Sequence, residues 1–177
     1  AITEDNKLIA WGLNENGELG IGTNDEKAEP TIIKNVKNVL DIAVGRTHSI
    51  LVTTNGEVYT TGNNSYGSLS GTVSKRNRFA KVENLEDIAY ISSGEYHNMV
   101  LDINGKVYVW GGNKNGQLGN GNTNTINIPF EITGITNKKE IAAGKDTSFI
   151  RTKDGEIYAA GANACGQLGS GDNNSKQ

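Results

Sequence analysis

Two histidines, one cysteine and a serine in a glycine-rich segment are the first residues of this sequence to test for catalytic chemistry. His48 and His97 occupy the same local pattern, Gly-x-x-His, about fifty residues apart. A catalytic centre needs one such histidine rather than a copy in each segment, so we expect each ring to bond to backbone within its own sheet. Ser68 lies in a Gly-Ser-Leu-Ser-Gly segment, but a nucleophile elbow needs serine at the centre and a helix after it.

Metal binding and acid–base hydrolysis have equally little support. The single cysteine, Cys165, and two histidines far apart in the chain do not have the spacing of a local chelate. The Asp and Glu residues are scattered without a pattern that indicates paired carboxylates. We therefore predict no catalytic, cofactor-binding or metal-binding residue, and a protein that is not an enzyme.

The glycines belong to a repeat. A Gly-x-Asn-x-x-Gly-x-Leu segment recurs about every fifty residues, with central glycines Gly17, Gly67, Gly116 and Gly166. We expect each glycine to take positive φ and each asparagine to close a turn on its own backbone. The leucines are expected to pin the loops to the sheet; they are Leu19, Leu69, Leu118 and Leu168. Phosphate binding is not favoured, because no copy has a G-x-G-x-x-G or P-loop pattern and none leads into a helix.

Short apolar, β-branched runs lie between the glycine segments. They are joined by Asn55-Gly56, Asn104-Gly105 or Asp154-Gly155, which predicts β-hairpins. No stretch of ten or more residues has helical periodicity, and each period holds about four short strands. We therefore predict an all-β chain, a partial β-propeller built of four-stranded antiparallel blades of about fifty residues. The apolar layer between stacked blades is predicted to include Val58, Tyr59, Val107, Tyr108, Ile157 and Tyr158.

Two segments carry a family resemblance. Residues 110–121, WGGNKNGQLGNG, and residues 43–49, AVGRTHS, resemble the two signatures of the regulator-of-chromosome-condensation repeat family. The resemblance covers essentially the whole chain and implies a propeller, normally of seven blades. Kelch repeats need a Gly-Gly doublet in every copy and WD40 repeats are shorter and end in Trp-Asp, so neither fits. The copies depart from the family pattern at Thr61, Ser70, Thr147 and Ala160, where we expect looser packing.

The whole chain, 1–177, is predicted to form one partial propeller. The copies fall at approximately 1–50, 51–100, 101–150 and an incomplete 151–177. A seven-bladed ring needs about twice this length, and two identical chains duplicate the same surplus half-copy, so we expect a fragment of a longer protein. Open blade edges and an exposed blade face favour self-association, and we expect a dimer or higher oligomer.

Composition limits the partners. The formal net charge of -3 opposes binding to a phosphate backbone, and no apolar stretch approaches the length of a membrane span. We predict neither nucleic-acid binding nor membrane insertion. No signal peptide is visible, so the compartment stays open between the cytoplasm and the secreted or cell-surface space. The Asn, Ile and Lys content suggests a bacterial source, and the one basic cluster, residues 75–79, is expected to be a solvated loop.

Function is expected where equivalent positions of the repeats differ, because packing constrains the positions that stay the same. The pair after the glycine of the second signature varies in each copy. In propellers similar to this family, that pair lies on one face of the ring and contacts partner proteins. The predicted protein-binding residues are Arg46, Thr47, Glu95, Tyr96, Lys145 and Asp146.

We predict a non-enzymatic interaction scaffold that presents this face to a protein partner, whose identity the sequence leaves open. Three alternatives remain. One is a structural repeat segment of a longer bacterial surface or secreted protein. The second, implied by the resemblance, is a guanine-nucleotide-exchange-like regulator, and the third is an enzyme such as a lyase that uses the central opening of a propeller.

Overall fold

The computed structural model describes residues 1–4 and 7–177; residues 5 and 6, inside the first predicted copy, lie outside the described residues. The described residues form strands and no helix, which confirms the all-β prediction. The strands are β1 (Leu8–Gly12), β2 (Lys27–Ile33), β3 (Val39–Val44), β4 (His48–Thr53), β5 (Val58–Asn63), β6 (Lys75–Lys81), β7 (Ile88–Ser93), β8 (His97–Asp102), β9 (Val107–Gly111), β10 (Ile126–Ile132), β11 (Lys138–Ala143), β12 (Thr147–Thr152) and β13 (Ile157–Gly161).

Consecutive strands pair antiparallel into four sheets, which are the blades. The second blade is β3-β4-β5-β6 and the third is β7-β8-β9-β10. The first blade has β1-β2, and the fourth has β11-β12-β13 with an added bridge between Lys176 and Gly161. Each blade begins at its inner strand, so the copies drawn from the sequence period cut through β4, β8 and β12. A repeat period fixes the spacing of blades but not their starting point.

The predicted hairpins are confirmed. The pairs β4–β5, β8–β9 and β12–β13 are joined at the three expected dipeptides. In the first of them, the Gly56 amide donates to the Thr53 carbonyl at 2.9 Å, and Gly56 takes a φ of 74°. Glycine adopts this left-handed conformation without the steric penalty of a side chain, so the chain reverses directly into β5.

The asparagine side chains of the glycine loops bond to other groups than predicted. Asn113 is fully buried, and its Oδ1 accepts the Leu118 amide at 2.9 Å. Its Nδ2 donates to the carbonyls of Asn122 and Asn124 at 2.9 and 3.0 Å. The prediction of a turn on the residue's own backbone is therefore wrong, because a buried carboxamide must satisfy both its donor and its acceptor, and here it ties the two ends of the loop together. The same Oδ1 contact recurs at Asn14, Asn64 and Asn163.

The central loop glycines take positive φ, as predicted, and they also let neighbouring blades approach. A Cβ on Gly17 would lie 2.5 Å from the Arg76 carbonyl and 2.6 Å from the Asn77 Cα, in β6 of the next blade. A Cβ on Gly116 would lie 2.7 Å from the Lys176 carbonyl, which follows β13 of the next blade. Glycine is required because backbone fills the place of a side chain.

Apolar side chains fill the space between blades. Ile50 and Val52 of the second blade pack in one cluster with Ile91, Val100 and Trp110 of the third. A second cluster joins the third and fourth blades, and a third joins the first and second. This stacking buries the face that an isolated four-stranded sheet exposes.

The predicted layer is correct except in the last blade. Val58 and Val107 are fully buried, and Tyr59 and Tyr108 pack against the clusters from partly buried positions. Ile157 and Tyr158 are exposed, so their predicted burial is wrong. The reason is that, among the described residues, no sheet packs on the far side of the three-stranded fourth blade.

Both prolines lie in outermost strands, Pro30 in β2 and Pro129 in β10. An outermost strand needs no amide donor on its open side, so proline is tolerated there and blocks further strand addition. The equivalent strand β6 contains the basic cluster instead. The expected solvated loop at residues 75–79 is thus wrong, because these residues pair with β5 as Gly62↔Arg76 and Asn63↔Lys75. Edge cations also discourage pairing with another sheet.

Candidate functional site

Three short turns, residues 45–47, 94–96 and 144–146, join the two inner strands of the second, third and fourth blades. Antiparallel order places them at the same end of the blades as the glycine loops, and this end is called the loop face. Backbone bonds tie the turns together: the Arg46 amide donates to the Glu95 carbonyl at 3.0 Å, and the Glu95 amide donates to the Lys145 carbonyl at 2.8 Å. The turns therefore form a continuous inner rim.

Buried histidines support this rim from below. The Nε2 of His48 lies 2.9 Å from Asn98 Oδ1 and 3.0 Å from Ser93 Oγ, both on the third blade. The Nε2 of His97 lies 2.9 Å from Ser148 Oγ on the fourth blade. The predicted bond to backbone within the same sheet is wrong, because the strand backbone is already paired and the rings face the next blade. Burial lowers the pKa of each histidine to about 4.

The Gly-x-x-His spacing follows from this packing. A Cβ on Gly94 would overlap the ring of His97 and would lie 2.5 Å from the Gly144 carbonyl of the next blade. In the fourth blade Thr147 replaces the histidine, and its Oγ1 lies 2.5 Å from the place of a Cβ on Gly144. In the second and third blades, the histidine ring therefore requires glycine three residues before it, because the ring occupies the place of a Cβ.

One carboxylate joins three blades on the rim. Glu95 Oε1 lies 2.7 Å from Arg46 Nη1, and Glu95 Oε2 lies 3.3 Å from Lys145 Nζ. The hydrogen bond from Arg46 is the main cause that lowers the pKa of Glu95. The Glu95 side chain is only 11% exposed, whereas Arg46 and Lys145 are 65% and 74% exposed. The carboxylate is covered by cations that point to solvent.

An aromatic pair adjoins these charges. Tyr96 follows Glu95 in the turn, and its ring centroid lies 4.2 Å from that of Tyr66 in the glycine loop of the second blade. The hydroxyl of Tyr96 also lies against Arg46 and contributes to the raised pKa of that guanidinium, after the larger effect of Glu95. Sequence reasoning missed Tyr66. Its position is asparagine in copies one and three and cysteine in copy four. The rule that function lies where repeats differ would have identified Tyr66 if it had been applied to the glycine loops.

The other two predicted residues lie on the same face in a different role. The Thr47 carbonyl accepts the Asn63 amide at 2.8 Å, and the Asp146 carbonyl accepts the Ala162 amide at 2.9 Å. Asp146 is half-buried, with its Oδ1 at 3.4 Å from Gln117 Nε2. These contacts hold the turn to its own blade and to the preceding loop. Arg46, Glu95, Tyr96 and Lys145 are brought together, and Thr47 and Asp146 are not part of that contact.

The basic cluster in β6 is packed more than open. The Arg76 guanidinium donates to the carbonyls of Leu69 and Ser70, both at 3.4 Å, and its pKa is lowered by burial. Phe79 is buried against the first blade. These side chains stabilise the outer part of the blades.

Within residues 1–4 and 7–177 there is no group of three or more His, Cys, Asp and Glu residues that could hold a metal ion. Cys165 is an exposed free thiol in the last glycine loop. No helix in the described part of the chain is long and apolar enough to cross a membrane.

The stacked blades, the histidine-supported rim and the loop face define a sector of a β-propeller. The chain belongs to the regulator of chromosome condensation (RCC1) repeat family, whose repeat model matches residues 5–52 and 104–150. A second model of the same repeat matches residues 39–68, 88–117 and 139–167.

Solved propellers share the fold along nearly the whole chain. Human WBSCR16 superposes with a TM-score of 0.87 at 23% identity, over 99% of this chain and 48% of that one. Yeast RCC1 (Prp20), solved bound to Kap60, gives a TM-score of 0.87 at 18% identity, over 99% of this chain and 44% of that one. The chain thus spans about half of these propellers.

A curated relative is more similar over a shorter region. The human X-linked retinitis pigmentosa GTPase regulator is 40% identical over 81 residues, which is 44% of this chain and 8% of that protein. The similarity therefore concerns the repeats and a small part of that relative's length.

Proposed function

We propose that this chain is a non-enzymatic interaction scaffold that presents its loop face to a protein partner. The observation that carries the proposal is the convergence of Arg46, Glu95, Lys145 and the Tyr66–Tyr96 pair from separate loops of three blades. An aromatic pair beside exposed cations is a composition enriched at protein interfaces. Variable residues on a rigid repeat scaffold are also where binding function concentrates.

The relatives support protein binding in general terms. Yeast RCC1 (Prp20) was solved in complex with the protein Kap60, and the human relative is named a GTPase regulator. That name favours regulation of a GTPase as the second candidate, in which the same loop face contacts the GTPase. We also propose that the chain is bacterial and is part of a longer protein. Self-association through the open blade faces is a further part of this proposal.

A pair of triple variants tests the scaffold. The test variant replaces Arg46, Tyr96 and Lys145 by alanine. The control variant replaces Tyr90, Lys139 and Lys153, which carry the same kinds of side chain and line a cleft at the opposite end of the blades. Affinity purification from the source cell, followed by mass spectrometry, should recover a stoichiometric protein with wild type and control and lose it with the test variant. Retention by the test variant would refute the choice of face.

A further inference from the structure

A continuous strip of side chains crosses the loop face and differs in chemistry from one end to the other. It runs through Tyr66, Tyr96, Arg46, Glu95 and Lys145, and it is called the binding strip. Tyr66, 47% exposed, forms the aromatic end, and Lys145 lies at the other end, with Arg46 and Glu95 between them. Because backbone bonds join the turns that carry Arg46, Glu95 and Lys145, the spacing of the two ends is fixed by the fold.

The outward charge of the strip is positive although the chain has a net charge of -3. Each oxygen of Glu95 binds one cation, so the carboxylate is occupied on both sides. A guanidinium has five N–H donors and an ammonium has three, and Glu95 takes one contact from each. An added carboxylate is therefore able to accept charge-assisted hydrogen bonds from Arg46 and Lys145 together.

The aromatic end supplies the second half of the contact. Tyr66 and Tyr96 come from different blades, and their rings are tilted by 34° against each other. Because Tyr66 is 47% exposed, part of this aromatic pair is accessible to a partner. Tyrosines offer large contact area with little loss of side-chain entropy and are common energetic centres of interfaces.

Resting on the proposed function, we infer that the partner presents a carboxylate beside an aromatic or large apolar side chain, on an exposed protein segment. The carboxylate binds between Arg46 and Lys145, and the apolar side chain packs on the Tyr66–Tyr96 pair. A nucleic acid fits less well, because the two cations share one carboxylate and a net acidic chain repels a polyanion.

Selection from an unbiased peptide library displayed on phage, with the intact chain immobilised, tests this inference. The selected peptides should contain Asp or Glu next to an aromatic or large apolar residue. Arg46→Gln, Lys145→Gln and Tyr66→Ala should each weaken binding of such a peptide roughly tenfold, measured by calorimetry. Two matched controls, Lys114→Gln in the glycine loop of the third blade and Tyr90→Ala away from the loop face, should leave it unchanged.

The other outcomes distinguish failure of the inferred partner chemistry from failure of the proposed scaffold function. Peptides that depend on the three strip residues but contain no acidic group would overturn the partner chemistry and leave the scaffold in place. Peptides that bind equally to all variants, or no selected peptide, would count against both. Tighter strip-dependent binding of an oligothymidine at the same salt concentration would replace the acidic protein segment by a nucleic acid.

Discussion

At the scale of single residues, the two histidines show why a repeated side chain need not be catalytic. His48 and His97 are fully buried between blades, and each uses Nε2 to contact a side chain of the next blade. Desolvation opposes the charged form of an imidazole, so both rings stay neutral at physiological pH. Their contribution is to hold adjacent blades in register.

This burial makes stability depend on pH. The folded pKa of about 4 lies below the ordinary value of 6.5, so the unfolded chain binds protons that the folded chain does not. The histidine contribution is complete above pH 6.5 and is lost as the pH falls towards 4. At pH 5 the loss in unfolding free energy should be about 2 kcal/mol per histidine. Urea unfolding of wild type and His97→Gln at pH 7 and pH 5 measures it: the variant should lose about 2 kcal/mol less.

The glutamine variant keeps a hydrogen-bonding amide near the position of Nε2 and removes the titration, so it separates packing from charge. A second measurement does not need a variant: the ring-proton shifts of both histidines should stay constant in NMR from pH 7 to pH 5. A histidine that titrates near 6.5 would contradict the burial argument.

The roles of individual residues were harder to predict than their positions. The fifty-residue period identified Asn113 and its equivalents. Only the structure shows that the side-chain amide of Asn113 bonds to residues at the far end of the loop. The six predicted binding residues were chosen from variation between the copies and from the family resemblance. Four of them converge. Variation between the copies also marks the position of Tyr66, but its pairing with Tyr96 from another loop leaves no trace in a local pattern.

At the scale of strands and blades, one substitution in the repeat has a visible consequence. Trp110 of β9 is fully buried against the second blade and donates its indole N–H to the Ser68 carbonyl at 2.8 Å. The equivalent residue in β13 is Ala160. A cleft of about 160 Å³ opens there between the third and fourth blades, lined by Val109, Leu118 and Ile150 among others. The sequence predicted looser packing at Ala160, and the cleft lies at that position.

Restoring the aromatic ring should stabilise the fourth blade. Ala160→Trp places apolar surface in the cleft and should raise the unfolding free energy by about 1–2 kcal/mol. Ile157→Trp is the control, since Ile157 of the same strand is 68% exposed and does not line the cleft. Chemical denaturation of both variants measures the difference. Equal effects would mean that the cleft cannot accept the ring.

The local elements were predictable because each depends on short-range chemistry. Asn-Gly and Asp-Gly dipeptides between β-branched runs gave the three hairpins, and loop glycines gave the positive φ values. Strand β6 was missed because its residues are charged, and charge usually indicates solvent exposure. An outermost strand tolerates charge on its open side, so composition alone does not distinguish it from a loop.

At the scale of the whole molecule, the two ends of the blade stack are complementary. Within the described residues, the amides of Arg46 and Glu95 donate to the next turn, whereas no described group accepts from the amide of Lys145. At the other end, the Arg46 carbonyl receives no described donor, although the equivalent Glu95 and Lys145 carbonyls do. One end offers a donor and the other an acceptor, as a head-to-tail contact requires.

The exposed blade face should therefore drive association of the isolated chain with a second copy. Ile157 is 68% exposed, whereas the equivalent residues Val58 and Val107 of the second and third blades are fully buried. The apparent mass in light scattering should rise with protein concentration, and Ile157→Lys should lower it, because a buried cation would be unpaired. Ile103→Lys is the matched control, since Ile103 is 69% exposed but lies in a hairpin turn outside the stacking face. A chain that stays monomeric at all concentrations, or equal effects of both variants, would show that the open face does not bind another copy.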